Sequence, residues 1–421
     1  MTRLPAAAWR ARADLVRLVK VLGKGQARFV GGAVRDTLLG LPVKDIDLAT
    51  PLTPHAVMRM LKAKGIQVVP TGIDHGTVTA VLPGGPVEIT TLRRDVTTDG
   101  RRATVAFASE WQDDAGRRDF TINALYADPA SGEVFDYFGG LDDLAARRLR
   151  FIGDARSRIR EDHLRILRYF RFQARFGSQP PDPEAEQACA DLAATLKGLS
   201  RERVGMEMLN LLGLPDPAPT VARMAELGVL GEVLPEAQVP ALAALVAQET
   251  RQDVAPDALR RLAALLPADV PLAEAVASRF RLSGAQKKRL ALAAGRDSNS
   301  PPRRGGVAGG GARRQPSVDQ GVEPPPQPLP AGEGLDARAI AYHLGMVQAL
   351  DRLLLTGQSV APLTDWTIPK FPLKGGAIVA RGVKAGPAVA RILQAVESRW
   401  VASGFDDNAI PHLLATELAA R

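Results

Sequence analysis

The hydrophobic pattern of this 421-residue chain changes period once, near Phe151, and that change limits the fold more than any other feature. Before it, short apolar runs bounded by glycine read as strands at Ala27–Val30, Asp45–Ala49, Gln67–Val69, Thr77–Leu82 and Val87–Thr91. Helical patterns at Val34–Leu39 and His55–Ala63 separate some of them. After it, Leu/Ala periodicity runs through Asp162–Phe176, Glu184–Leu196 and Val204–Leu212 and on to about Ala294, broken by Pro215, Pro217 and Pro235. Strands first and helices afterwards predict an α+β chain, a mixed-sheet head followed by an all-α extension.

A chain of this length exceeds one ordinary core. The expected divisions are a head over 1–150, helical segments over 151–215 and 216–295, an insert over 296–334 and a helical tail over 335–421. Gly305, Gly306, Gly309–Gly311, Pro324–Pro326, Pro328 and Pro330 crowd the insert, which has too little apolar surface to be expected to fold.

Composition narrows the class without naming it. Hydrophobic residues at 46% and charged residues at 24% are a globular balance. Lys and Arg total 54 against 46 Asp and Glu, a net +8 that suits an anionic partner and equally suits a basic protein with none. Cys189 is the single cysteine, which excludes a disulfide framework and a Cys-based zinc site, so any metal is expected on oxygen ligands or on the five histidines. No apolar stretch approaches the ~20 residues that span a bilayer. Leu4 to Leu22 mixes Ala, Arg and Leu as a transit peptide does, but reads as an amphipathic first helix, and the cytoplasm is the expected compartment.

Phe29-Val30-Gly31-Gly32-Ala33-Val34-Arg35-Asp36 reads as strand, tight turn and helix. Glycines there let backbone N–H groups approach a phosphate, and the helix start adds positive potential; an ordinary packing turn has the same spelling. One helix further on comes Asp45-Ile46-Asp47. Residues i and i+2 of a strand face one side, so the two carboxylates can converge on hard divalent cations. Glu88, on the Val87–Thr91 strand, is the candidate third carboxylate, with a solvated strand residue as the other reading.

Arg117-Arg118-Asp119-Phe120-Thr121-Ile122-Asn123 is a second distinctive segment. On a helix Asp119 and Asn123 share a face beside Arg118 and can hold a ribose hydroxyl and a triphosphate oxygen; a capped, solvated helix start also fits. The third segment is Glu161-Asp162-His163-Leu164-Arg165. Helical spacing sets the Asp162 carboxylate beside the Arg165 guanidinium with Glu161 as a brace, which an ordinary salt-bridged helix would do too. Cytosine and adenine both offer an amino donor next to a ring-nitrogen acceptor, and Asp162 with Arg165 matches that pair, whereas uracil and guanine reverse it. Arg165, Arg168, Arg171 and Arg175 then recur at helical spacing among Tyr169, Phe170, Phe172 and Phe176, an amphipathic helix whose basic stripe can follow an RNA backbone.

Gly31-Gly32 followed by Asp45-Ile46-Asp47 resembles the signature of the polymerase beta superfamily of nucleotidyltransferases. The spelling Val30-Gly31-Gly32-Ala33-Val34-Arg35-Asp36 resembles, within it, the class II tRNA nucleotidyltransferases and bacterial poly(A) polymerases, strongly over residues 25–180 and loosely beyond. The resemblance implies a polymerase-beta-like head with a helical neck, body and tail. It implies Mg²⁺ on Asp45 and Asp47, with Glu88 completing the catalytic carboxylates. It places the nucleotide among Gly31, Gly32, Arg35, Arg118, Asp119, Asn123 and Arg168, with Glu161, Asp162 and Arg165 as an amino-acid template. The expected substrates are tRNA, CTP and ATP, with CMP, CMP and AMP joined to the tRNA 3′-hydroxyl and pyrophosphate released. The RNA hydroxyl attacks, so no side-chain nucleophile is needed. Arg93–Arg102 falls where CCA-adding members have a mobile loop needed for the final A, and a plain hairpin connection is the other expectation. In the tail, Gly386-Pro387 suits a helix start that Lys384 could turn towards an RNA phosphate or that acts only as a cap. A poly(A) polymerase and a catalytically inactive RNA-binding protein remain alternatives, the latter disfavoured by intact Asp45 and Asp47.

Overall fold

The computed structural model describes residues 2–99, 102–297 and 336–420. The expected insert therefore lies, from residue 298 onward, outside the described residues; Arg296 and Asp297 end a short 3-10 turn. The chain divides into two compact units, one of residues 1–239 with 279–282 and one of 240–278 with 283–421. Among the described residues no helix is long and apolar enough to cross a membrane.

In the first unit, α1 (Ala13–Leu22) buries Leu15, Leu18 and Leu22, a helical spacing that gives it one apolar face. The head then alternates β1 (Arg28–Val30), α2 (Gly32–Leu38), β2 (Ile46–Thr50), α3 (Pro54–Ala63) and β3 (Gln67–Gly72). Thr53 caps α3, its hydroxyl accepting the Ala56 N–H at 3.4 Å with Pro54 next in line. Strands β4 (Thr77–Leu82) and β5 (Gly85–Thr91) follow, then β6 (Arg93–Asp99), β7 (Arg102–Phe107), α4 (Trp111–Gly116), β8 (Leu125–Ala127), β9 (Val134–Asp136) and α5 (Gly140–Ala145). Seven strands form one sheet in the order β3-β4-β5-β2-β1-β8-β9; only β2 and β5 run parallel. Val30, Ala49, Leu92, Ala115 and Tyr126 form a core cluster beneath the glycine turn.

All five expected strands are present, Thr77–Leu82 with the expected bounds and the other four with shifted ends. The Arg93–Arg102 stretch is a hairpin: β6 and β7 pair as a separate two-stranded ribbon, and its tip, Gly100 and Arg101, lies outside the described residues. Strands β8 and β9 were not expected, because three residues are too short for period-2 alternation to show.

Helices α6 (Ala155–Glu161), α7 (Arg165–Phe176), α8 (Pro183–Asp191), α9 (Arg201–Leu212), α10 (Ala218–Glu226) and α11 (Val229–Val233) complete the first unit. Phe151, Tyr169 and Phe172 surround Phe120 with ring centroids 4.9–6.3 Å away, so the aromatic face of α7 is core, as its spacing predicted.

The remaining helices are α12 (Val239–Arg251), α13 (Ala258–Leu265), α14 (Val270–Arg279), α15 (Gly284–Ala294), α16 (Ala337–Leu344), α17 (Met346–Leu355), α18 (Gly375–Val379), α19 (Pro387–Ala402) and α20 (Ile410–Ala419). The second unit has one core cluster around Leu245, Ala264, Ile340 and Leu353 and another around Tyr342, Ile378, Val396, Trp400 and Leu414. Gly386 caps α19 and Pro387 is its first residue, as the sequence predicted.

Candidate nucleotide and metal site

Between β1 and α2 the chain turns at Gly31, whose φ of +66° is a conformation that side chains resist. A Cβ there would stand 3.5 Å from Arg118 Nη1, so the turn lies directly beside that guanidinium. Arg35, on α2, is 5% exposed; its Nε donates to Asp36 at 2.8 Å and its Nη1 to the Asn123 side-chain oxygen. Burial pushes its pKa down and the Asp36 carboxylate opposes that shift. Asn123 Nδ2 donates to Asp119 Oδ1 at 2.9 Å, and Arg168 Nε donates to Asp119 Oδ2 at 2.8 Å. Arg35, Asn123, Asp119 and Arg168 thus form one chain of hydrogen bonds, with Gly31 and Arg118 at its edge. Burial alone would raise the Asp119 carboxyl, but Arg168, Asn123 and the Phe120 N–H outweigh it and hold the pKa at about 2.

Asp119 and Asn123 do not share an α-helix as expected. Only Thr121–Asn123 is helical, as a single 3-10 turn, and Phe120 before it is extended. The Asn123-to-Asp119 bond closes that turn and brings the two side chains together where helical spacing would have placed them only as neighbours.

On the adjacent strands, the parallel register sets Asp47 opposite Glu88. Asp45 stands one residue before β2 begins, so the expected strand pair is a strand residue and its lead-in. Burial raises the Asp47 carboxyl to about 6, Glu88 and Asp45 add to the rise, and Arg118 opposes it. Asp47 thus lies within electrostatic reach of both acids and of Arg118, which also borders the Gly31 turn. Among the described residues no three His, Cys, Asp or Glu side chains are grouped so that they could hold a metal ion. A pair of carboxylates nevertheless fits a magnesium ion that takes its other ligands from phosphate and water.

Glu161, Asp162 and Arg165 do not lie on one helix either. Helix α6 ends at Glu161, Asp162 is extended (φ −150°, ψ 104°), and α7 begins at Arg165. The brace is nonetheless present: Arg165 Nη1 donates to Glu161 Oε2 at 2.6 Å and to the Arg158 carbonyl at 2.8 Å, and Nη2 to the Arg117 carbonyl at 3.0 Å. Asp162 Oδ1 accepts from the Leu164 N–H at 3.1 Å and Oδ2 from Arg203 at 2.7 Å.

The expected basic stripe is paired within the protein. Arg165 meets Glu161, Arg168 meets Asp119, Arg171 meets Glu207, and Arg175 meets Asp36. Four guanidinia so occupied stitch α7 to its neighbours and leave less charge for an RNA backbone than the sequence suggested.

Several residues of the site carry no motif. Asp114 accepts from Arg117 at 2.8 Å, Arg118 at 3.1 Å and the Tyr126 hydroxyl at 2.6 Å. Burial would raise its carboxyl, yet Arg118 and Arg117 hold it at about 2, while burial raises the Tyr126 phenol. The i,i+3 and i,i+4 spacing from Asp114 to Arg117 and Arg118 was a readable signal. Glu207 and Arg203 gave none, because their partners lie 36 and 41 residues away.

A mixed sheet with a glycine turn, adjoining acidic strands and a buried polar clamp defines a nucleotidyltransferase head. Residues 27–150 match the poly A polymerase head domain family, and residues 180–239 match the family described as the probable RNA and SrmB-binding site of polymerase A. The chain is 35% identical to the mitochondrial CCA tRNA nucleotidyltransferase 1 of Homo sapiens over 395 residues, covering 90% of this chain and 84% of that protein. It is 40% identical to the CCA-adding enzyme of Geobacillus stearothermophilus over 205 residues, 48% of this chain and 49% of that one. The structure of the Bacillus stearothermophilus CCA-adding enzyme in complex with CTP superposes with a TM-score of 0.65 at 25% identity, over 97% of this chain and 98% of that one. The Thermotoga maritima CCA-adding enzyme complexed with tRNA shares the fold, with a TM-score of 0.65 at 19% identity over the whole of both chains. This chain belongs to the family of CCA-adding tRNA nucleotidyltransferases.

Proposed function

We propose that this chain builds or repairs the CCA terminus of tRNA, joining CMP, CMP and AMP to the 3′ end without a nucleic-acid template. The similarity that runs over 90% of the chain, far past the head that poly(A) polymerases share, carries the reading. In it, residues 1–150 are the catalytic head, 151–215 the neck, 216–295 the body and 335–421 a tail that meets tRNA. The reading also places the protein in the cytoplasm, where a single buried thiol, Cys189, suits a reducing compartment.

Asp45 and Asp47 would hold Mg²⁺, with Glu88 beside Asp47 as the third carboxylate; a divalent cation would offset the burial of the Asp47 carboxylate and the repulsion from Glu88 and Asp45 that together raise it. Bound there, Mg²⁺ supplies charge neutralisation to the triphosphate and the attacking oxygen. The backbone at Gly31 and Gly32, with Arg35 and Arg118, lines the triphosphate. Asp119 and Asn123 receive the ribose, and Arg168 keeps Asp119 ionised and aimed. Asp162 accepts from the exocyclic amino group of C or A while Arg165, braced by Glu161, donates to the ring nitrogen. The tRNA 3′-hydroxyl attacks the α-phosphorus and pyrophosphate leaves.

Primer extension tests the activity with tRNA ending before CCA, an unstructured RNA for comparison, Mg²⁺, and CTP alone, ATP alone or both. Two C additions with CTP, then one A and a stop with both, on tRNA only, are expected. Long A tails on either RNA would make the chain a poly(A) polymerase, and no incorporation would favour a binding protein.

A further inference from the structure

We propose that Arg203 is a positioning residue for base selection, holding Asp162 in the orientation that discriminates C and A from U and G. The inference rests on the reading of Asp162 as the acceptor that meets the base. Asp162 sits between two helices in an extended conformation, so helical geometry does not aim its side chain. Two donors do so from different directions: the Leu164 N–H on Oδ1 at 3.1 Å and Arg203 Nη2 on Oδ2 at 2.7 Å. A carboxylate offers about four lone-pair positions. Two protein donors fix its plane and leave acceptor positions for an amino group. With the Arg203 donor lost, the plane is free to turn about the side-chain torsion, and the contact loses the geometry on which discrimination depends.

Three features set this pair apart from an ordinary surface salt bridge. The side chains are 39% and 32% exposed, and ion pairs so hydrated add little to stability. Arg203 is the third residue of α9, where the helix dipole favours a carboxylate over a cation, so helix stability does not account for an arginine there. Its helix is firmly held one turn later, where Glu207, 4% exposed, accepts from Arg171 at 2.6 Å. A poor helix position and a weak surface pair are thus combined on a rigid support, aimed at the residue that reads the base. Arg203 also borders a cavity of about 410 Å³ lined with His163, Thr195, Leu199 and Ser200, so shortening or neutralising it leaves no sealed void in the core.

The test uses the full chain with Arg203→Met, Arg203→Lys and Asp162→Ala, measuring kcat/KM for CTP against UTP on tRNA lacking CCA, together with melting temperature. Arg203→Met is expected to lower the CTP preference by about tenfold, through KM for CTP and easier UTP entry, as expected of a misaligned base contact. Its melting temperature should stay at the wild-type value, and Arg203→Lys should recover most of the preference. If Arg203→Met keeps the preference within twofold while Asp162→Ala loses it, Arg203 does not position Asp162. If CTP and UTP fall equally with a lowered melting temperature, the role is structural and the proposal fails. If Asp162→Ala keeps the preference, the base-reading assignment itself falls, and this inference with it.

Discussion

At the scale of single residues, Asp47 concentrates the conflict between stability and function. Its carboxyl is raised from 3.8 to about 6, so between those values the folded chain binds a proton that the unfolded chain has released. Stability from this group therefore falls as pH rises through that window, by about 3 kcal/mol at most. Asp47→Asn should stabilise the metal-free protein at pH 8 by up to that amount in urea unfolding, with the gain shrinking towards pH 4. The same variant should lose Mg²⁺-dependent transfer. Equal stability at pH 8 would mean that the site does not strain the carboxylate. The Gly31 turn and the strand position of Asp47 were legible in the sequence because turn geometry and alternation fix local neighbours, whereas Asp45 falls just before β2. Arg203 and Glu207 were not, since a helix N-terminal arginine and a helix glutamate look like solvated charges until their partners are known.

At the scale of elements, α7 joins α9 to the head through its arginines. Arg168 has the largest part, because Asp119 is 8% exposed and otherwise left with only the Asn123 amide and the Phe120 N–H. Arg168→Ala should cost about 2–3 kcal/mol, the range for a hydrogen bond to a charged group, read by chemical denaturation. With Asp119 on the ribose as proposed, it should raise KM for CTP and ATP alike. A change in C-over-U preference would instead place Arg168 in the reading step. The periodic helices were legible, and so was the aromatic face of α7. The junction at Asp162 was not: i,i+3 and i,i+4 spacing assumes a continuous helix, and here the chain leaves the helix at the residue that matters. The 3-10 turn at Thr121–Asn123 misled in the same way, because side-chain bonds replace the regular helical ladder.

At the scale of the whole molecule, the second unit binds chain segments from before and after residues 298–335 through buried charges. Asp351, on α17, accepts from Arg260 at 3.0 Å and from Arg289 at 2.7 Å, and Glu249 accepts from Arg260 and Arg261 at 2.7 and 2.8 Å. Asp351→Ala would leave Arg260 with Glu249 and Arg289 with Asp257 as their remaining carboxylate partners, and should cost about 1.5–3 kcal/mol in the unfolding of this unit. A loss below 1 kcal/mol would show that the network is dispensable for that core. No pattern in the sequence announced this network, because its members lie up to 91 residues apart and each reads as an ordinary helix-surface charge.

In the proposed reaction the protein reads the base with its own side chains. The direct measurement is single-nucleotide incorporation of CTP, ATP, UTP and GTP by the wild-type chain and by the double variant Asp162→Asn with Arg165→Asp. Reversing donor and acceptor should admit UTP or GTP and depress CTP and ATP, shifting preference by the ~1–3 kcal/mol of a bidentate base contact. Unchanged preference for C and A in the double variant would contradict the account.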